Sequence, residues 1–183
     1  MKKTLLIIAG AILMMACGNR NANAGAAAVA EEAQIDSTSV VQVGDKAPAF
    51  VVEKLDGTTF NIADHAGEVV WVNFWATWCP PCREELKRVE AEIIEYFAGK
   101  EFAFIPISRG EETETVKNFL AENGYTFVPG LDPEKKVYDL FATNYIPRNY
   151  IIDKEGNIAA IGLGYEPAEF DELVKKVEEL LNE

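Results

Sequence analysis

One stretch decides the fold of this chain, and it reads Trp-Val-Asn-Phe-Trp-Ala-Thr-Trp-Cys-Pro-Pro-Cys-Arg-Glu-Glu from Trp71 to Glu85. An apolar strand leads into a Cys-x-x-Cys turn, and a helix begins at that turn. Unpaired backbone donors and the helix dipole favour negative charge at a helix start, so Cys79 is expected to ionise readily. A thiolate there attacks disulfides, and Cys82 can then release the partner from the mixed disulfide. The stretch predicts dithiol–disulfide exchange.

The cysteine pair has two other interpretations. A zinc site needs four ligands, and only Cys17 and His65 remain in the chain to complete one, which argues against a metal. A purely structural disulfide would close too short a loop to restrain much of the unfolded chain. Both alternatives are therefore less favoured than a redox-active pair, and the predicted chemistry needs no cofactor.

Length and charge limit the classes of function. A chain of 183 residues is long enough for one well-packed domain with extensions, but not comfortably for two. The net charge of −13 argues against nucleic acid or anionic lipid as the main partner. The composition otherwise indicates a globular domain, which we expect to be monomeric.

The N-terminus has the pattern of a targeting segment. Two lysines precede an apolar run that is too short to span a membrane, which is typical of a signal peptide. The run ends in Met-Met-Ala before Cys17, which resembles a bacterial lipobox, although Met14 stands where leucine is usual. We therefore expect residues 1–16 to be a lipoprotein signal peptide and Cys17 to be lipidated. Ordinary cleavage after Ala24 is the alternative.

Export agrees with the cysteine count. Three cysteines are an odd number, and lipidation of Cys17 would leave a self-contained pair in a compartment where disulfides persist. Residues 17–43 are rich in small and polar residues and cannot bury a core, so they are expected to form a flexible tether. Residues 44–183 are the predicted domain.

Within that domain, strand and helix patterns alternate. The patterns predict a β-hairpin, a buried strand, a helix from Cys79 to about Phe97, and a second buried strand, with an acidic helix and a short strand at 125–128 after them. A helix beginning at Asp132, a second hairpin and a final amphipathic helix complete the chain. This order predicts an α/β fold with a central mixed sheet. His65 is read as a surface loop residue.

The motif around the cysteines, together with the late Ile146-Pro147, strongly resembles the thioredoxin superfamily. The leading hairpin and the inserted αβ segment at 111–130 resemble its TlpA/ResA-type branch, which comprises membrane-tethered thiol–disulfide oxidoreductases of the bacterial envelope. The resemblance implies that Cys79 is the nucleophile, Cys82 the resolving thiol, and Pro147 a cis proline beside the disulfide. It also implies a periplasm-facing enzyme that reduces disulfides of envelope proteins, apocytochrome c among them, and is recharged by a membrane thiol reductant.

Two positions depart from thioredoxin itself. Asn73 stands where thioredoxins carry a buried aspartate, and an asparagine cannot take a proton. Glu85 fills the position at which TlpA/ResA-type proteins have a glutamate under the active site. It lies one helical turn from Cys82, and we expect it to relay the proton of that thiol. The alternative is a solvated acid like Glu84. Lys87 replaces a helix-kinking proline of many relatives.

The remaining site residues are apolar. Trp75, Trp78 and Ile146 are expected to form a rim around Cys79, with Trp75 partly in the core and Trp78 and Ile146 contacting the partner. An oxidant or isomerase of the same fold is the near alternative to a reductant. A redox-inert peptide-binding module is a different class, which the intact cysteines disfavour. A Sco-type copper carrier is disfavoured because its wider cysteine spacing and dedicated histidine are missing.

Overall fold

The computed structural model describes residues 37–183. The predicted signal peptide, Cys17 and most of the predicted tether lie outside this range. Within it, the strands are β1 (Val51–Lys54), β2 (Thr59–Asn61), β3 (Val69–Trp75), β4 (Phe102–Arg109), β5 (Gly130–Asp132), β6 (Arg148–Ile152) and β7 (Ile158–Leu163). The α-helices are α1 (Pro80–Val89), α2 (Thr113–Asn123), α3 (Tyr138–Phe141) and α4 (Pro167–Leu181). None of the helices in residues 37–183 has both the length and the apolar composition needed to cross a membrane.

The seven strands form one mixed sheet in the order β2-β1-β5-β4-β3-β6-β7. The central strand β3 is buried along its whole length and pairs parallel with β4 and antiparallel with β6. Its side chains alternate between the two faces of the sheet. Trp71 and Trp75 join the core beneath α1, α2 and α4, whereas Val72 and Phe74 join the core on the other face. Asn73 therefore faces α1, next to the cysteine pair.

This architecture confirms the predicted α/β fold, with its N-terminal hairpin β1–β2 and an αβ insertion between β4 and α3. The prediction of a strand at 125–128 is wrong, because β5 begins at Gly130 instead. A Cβ at Gly130 would lie 3.0 Å from Val52 Cγ1 and 3.3 Å from Ile107 Cγ1, so a larger residue would have to push these side chains aside for the strand to fit between β1 and β4. Phe127 turns away to pack on the ring of Trp75.

Two helices also differ from the prediction. The helix that follows the cysteines is α-helical only to Val89 and continues as a π-helical turn from Glu90 to Glu95. The expected helix at Asp132 does not begin there, because Asp132 ends β5. Its carboxylate still caps a helix, since Oδ2 accepts hydrogen bonds from the backbone N–H groups of Val137 and Tyr138 at the start of α3.

Candidate active site

The cysteine pair lies where β3 passes into α1. Cys79 is the N-cap residue of the helix, and a disulfide joins it to Cys82, with the two Cα atoms 5.3 Å apart. The backbone N–H of Cys82 donates to Cys79 Sγ at 3.3 Å. Pro80 and Pro81 occupy the first two helical positions, so neither offers a backbone N–H to the sulfur. Both cysteines are nearly buried in this disulfide state.

The loop that leads into β6 lies over the cysteine pair. The Ile146–Pro147 peptide bond is cis, as the resemblance implies. The carbonyl oxygen of Ile146 lies 3.6 Å from Cys79 Sγ. Tyr145, one residue earlier, has a positive φ of 66° and is 59% exposed, and its carbonyl accepts a hydrogen bond from the hydroxyl of Tyr138 at 2.7 Å. Tyr145 was not anticipated from the sequence, where no motif marks it.

Beneath the pair lies a buried polar group of four residues, which we term the amide cluster: Trp71, Asn73, Glu85 and Asn149. Asn73 Nδ2 donates to Glu85 Oε1 at 2.6 Å, and Asn149 Nδ2 donates to both carboxylate oxygens at 3.1 and 3.2 Å. Asn149 Oδ1 in turn accepts from Trp71 Nε1 at 2.7 Å and from Asn73 Nδ2 at 2.9 Å. These two bonds fix the direction of the Asn149 amide toward the carboxylate.

Burial dominates the electrostatics of this cluster. Glu85 is only 1% exposed, and desolvation raises its pKa from the ordinary value of 4.5 to about 8. The hydrogen bonds from Asn149 and Asn73, and the charge of Arg88, oppose that rise without cancelling it. A carboxyl with this pKa can take up or give off a proton near neutral pH. Glu85 is therefore not a solvated acid like its exposed neighbour Glu84.

A second polar group holds the turn before the cysteines, and we term it the hydroxyl cluster: Thr77, Ser108 and Glu111. The Glu111 carboxylate is 8% exposed and accepts from the backbone N–H of Thr77 at 2.8 Å. The hydroxyls of Thr77 and Ser108 also donate to it. Sequence reasoning missed Glu111. The available signal was its place just after β4, because the carboxyl ends of adjacent parallel strands meet at one edge of the sheet.

The two tryptophans near the pair differ in exposure. Trp75 is completely buried, whereas Trp78 is 61% exposed beside the disulfide. Trp78 is the residue before Cys79 in the chain, and the carbonyl of Ile146 lies beside Cys79 Sγ. His65 lies elsewhere, stacked on Phe60 and 2.9 Å from a carboxylate oxygen of Glu68. Within residues 37–183 no group of His, Cys, Asp or Glu side chains is arranged to hold a metal ion.

A thioredoxin-like sheet with a Cys-x-x-Cys disulfide at the start of its first long helix, facing a cis proline, defines a thiol–disulfide oxidoreductase. The chain belongs to the AhpC/TSA family of the thioredoxin superfamily, whose family model matches residues 43–161.

Individual relatives agree with this assignment. The thiol-disulfide oxidoreductase ResA of Bacillus thuringiensis is 31% identical over 129 residues, which cover 70% of this chain and 74% of the relative. ResA of Bacillus subtilis is 28% identical over 163 residues, covering 89% and 87% of the two chains. A solution structure from Bacteroides thetaiotaomicron, provisionally described as a protein disulfide isomerase, is 34% identical with a TM-score of 0.75, and the match covers 80% of this chain and 94% of that one.

Proposed function

We propose that this oxidoreductase works as a reductant of disulfides in proteins of the bacterial cell envelope. Cys79 is the attacking thiol and Cys82 the resolving thiol, assisted by Glu85 and by the loop at Pro147. The observation that carries the proposal is the shortage of hydrogen-bond donors around Cys79, which bears on the direction of electron flow.

When the thiolate of the dithiol is well stabilised, the reduced form is favoured and the disulfide is a strong oxidant. When the thiolate is poorly stabilised, the dithiol is a good reductant. At the start of α1 two of the first-turn donors are absent, because Pro80 and Pro81 have no N–H, so the helix start stabilises a Cys79 thiolate less than expected from the sequence. Only the N–H of Cys82 is hydrogen-bonded to Cys79 Sγ among the described contacts. The missing donors leave the Cys79 thiolate poorly stabilised, which favours the disulfide, so the dithiol gives up electrons readily.

The exchange proceeds in two displacements. The Cys79 thiolate attacks one sulfur of the substrate disulfide, and the other substrate sulfur leaves as a thiolate that takes a proton from water. Glu85 then accepts the proton of Cys82, whose sulfur attacks Cys79 Sγ, and the second substrate sulfur leaves as a thiolate that takes a proton from water. Glu85 afterwards gives its proton back to water. The substrate gains two electrons, and the enzyme is left with the Cys79–Cys82 disulfide. A dithiol donor in the membrane is needed to reduce it again.

Substrate contacts are proposed at Trp78, Ile146 and Pro147. An exposed aromatic ring supplies contact area beside the sulfur. Because proline has no N–H, the backbone beside Pro147 is open to pairing with an extended segment of a partner. This arrangement suits unfolded or flexible disulfide proteins, of which apocytochrome c is the candidate that the family resemblance suggests.

We further propose that the enzyme faces the periplasm and is held at the membrane by a lipid on Cys17, after removal of residues 1–16. The tether is then shorter than the predicted residues 17–43, because Val40 and Val41 already pack on the domain. This proposal rests on the lipobox-like sequence before Cys17. Mass spectrometry of the protein extracted from a bacterial host tests it, since a diacylglyceryl mass on a chain beginning at Cys17 is expected. We also propose that the enzyme is monomeric.

An oxidant or isomerase role is the second candidate, favoured by the similarity to the Bacteroides thetaiotaomicron structure described as a disulfide isomerase. The two candidates differ in the reduction potential of the Cys79–Cys82 pair. Proteins of this fold range from about −270 mV for reductants to about −120 mV for strong oxidants. Equilibration against dithiol buffers of known potential measures it.

We expect a value near the reducing end. The variant Pro81→Ala restores one N–H in the first turn and is expected to raise the potential. Pro167→Ala, at the first position of α4, is the matched control that leaves it unchanged. A wild-type value near the oxidising end would contradict the reductant role and establish the second candidate.

A further inference from the structure

The residues just before the predicted domain pack against the segment that leads into the loop over the cysteines. Thr38 to Val41, which we term the N-terminal strap, lie antiparallel to the segment 141–143. Val40 N donates to Phe141 O at 2.9 Å, Thr143 N donates to Thr38 O at 2.8 Å, and Ser39 forms a bridge with Ala142. Val41 is buried in the core on that face of the sheet. The strap is thus packed on the domain, although the sequence placed it in the tether.

Arg148 connects this strap to the loop over the cysteines. Its guanidinium is completely buried. Nη1 donates to Ser39 Oγ at 2.8 Å and Nη2 donates to Thr38 Oγ1, while Nε donates to the carbonyl of Asn144 at 2.9 Å. Arg148 directly follows Pro147 in the chain. One rigid planar group therefore bridges the strap and both ends of the loop from Asn144 to Pro147.

That loop needs external support. Tyr145 adopts a positive φ of 66°, a conformation that costs free energy for any residue with a Cβ and persists only where neighbouring contacts hold it. The Asn144 carbonyl held by Arg148 and the Tyr145 carbonyl held by Tyr138 are such contacts. The next residue, Ile146, carries the carbonyl that lies beside Cys79 Sγ. A shift of the loop would therefore move the backbone that a peptide substrate meets.

We propose that Arg148 is a positioning residue. Through Arg148, the N-terminal strap holds the cis-proline loop in the position that binds the backbone of a peptide disulfide. The strap is then part of the substrate site as well as the start of the link to the membrane. This inference rests on the proposed function in so far as the substrate is a protein disulfide. The strap is then expected to raise the exchange rate only for substrates with a peptide backbone, while the reactivity of the cysteine pair itself does not depend on it.

The test compares two disulfides of different size. The full chain is reduced, and single-turnover rate constants are measured with a disulfide-linked pair of short synthetic peptides and with hydroxyethyl disulfide, which has no peptide backbone. The variant Thr38→Val/Ser39→Ala removes both hydroxyl acceptors of the strap. The matched control is Thr58→Val, whose hydroxyl bonds to Asp56 in the first hairpin.

We expect the strap variant to lose about tenfold in rate with the peptide disulfide and to match the control with hydroxyethyl disulfide. Arg148→Lys, which keeps the charge but loses the planar fork, is expected to give the same selective loss. Equal rates for strap variant and control on both substrates would overturn the inference, and so would equal losses on both. A wild-type enzyme that leaves the peptide disulfide intact would instead contradict the proposed function, and this result is recognised without any variant.

Discussion

The amide cluster and the hydroxyl cluster both place a buried glutamate beside the cysteine turn, yet they hold it in different ways. Glu85, beneath Cys82, accepts hydrogen bonds from the side-chain amides of Asn73 and Asn149. Glu111, beside the turn, accepts a backbone N–H and a hydroxyl from Thr77, together with the hydroxyl of Ser108. One carboxyl is held by other side chains, and the other is itself the anchor for the backbone.

The difference shows that burial of a carboxyl does not by itself define its role. The Asn149 amide beside Glu85 is fixed in direction by Trp71, and burial raises the pKa of the Glu85 carboxyl to about 8. The protonation of Glu85 therefore changes near neutral pH, and the free energy of unfolding depends on it. Glu111 instead ties the end of β4 to Thr77, two residues before Cys79, so its contribution is the shape of the turn. Each of the following substitutions tests one side of this comparison.

The largest expected effect is on the pH dependence of stability. The folded chain keeps the proton of Glu85 up to about pH 8, whereas an unfolded glutamate loses it near pH 4.5, so the free energy of unfolding must fall as the pH rises between these values. From pH 5 to pH 8 the expected fall is roughly 4 kcal/mol. Glu85→Gln cannot ionise and is expected to lack this fall. Urea unfolding of the disulfide form at several pH values measures it.

Glu84→Gln is the matched control, because Glu84 is exposed on the same helical turn. It should retain the pH dependence of the wild type. If wild type and Glu85→Gln lost stability in parallel as the pH rose, the raised pKa of Glu85 would be wrong and the amide cluster would only hold structure.

The second prediction concerns the resolving step. With Cys79 converted to a mixed disulfide by an aromatic disulfide reagent, release of the coloured thiol reports the attack by Cys82. In the wild type its rate should rise with pH up to about 8, as Glu85 becomes able to accept the proton. Glu85→Gln is expected to slow release about a hundredfold at neutral pH and to remove that inflection. If Glu85→Gln kept the pH profile of the wild type, Glu85 would not relay the proton of Cys82.

The sequence predicted Glu85 of the amide cluster but neither Asn149 nor Trp71, and it missed the hydroxyl cluster, for a physical reason. Glu85 lies three residues after Cys82 on one helix, so spacing alone puts the two on one face. Glu111 reaches Thr77 across 34 residues, and Arg148 reaches Ser39 across 109. Such contacts depend on which strands become neighbours, and a single sequence does not encode that order locally.

The misplaced strand has a related cause. The run Tyr-Thr-Phe-Val at 125–128 has the composition of a strand, but its aromatic rings are taken up by Trp75 and Phe119 beneath the sheet. Strand β5 instead passes between β1 and β4 at Gly130, where the absence of a Cβ leaves room against Val52 and Ile107. Local β propensity was therefore overridden by tertiary packing.

The third prediction tests the hydroxyl cluster. Glu111→Gln keeps one acceptor oxygen but places an NH₂ group against donors from Thr77 or Ser108. We expect a loss of about 2 kcal/mol in the free energy of unfolding. Glu112→Gln, exposed and next in the chain, is the control. A Glu111→Gln variant as stable as this control would show that the carboxylate does not hold the turn.

The smallest expected effect comes from the support of the amide cluster. Trp71→Phe removes the Nε1–H that Asn149 Oδ1 accepts, while Asn73 still donates to the same oxygen. Trp75→Phe is the matched control, because Trp75 is also completely buried and its Nε1 has no hydrogen-bond partner in residues 37–183. Both variants leave a cavity in the core, and the lost hydrogen bond is expected to make Trp71→Phe about 1 kcal/mol more destabilising than Trp75→Phe. If the fixed direction of Asn149 sets the donors to Glu85, Trp71→Phe should also shift the pH range over which stability falls, whereas Trp75→Phe should leave it in place.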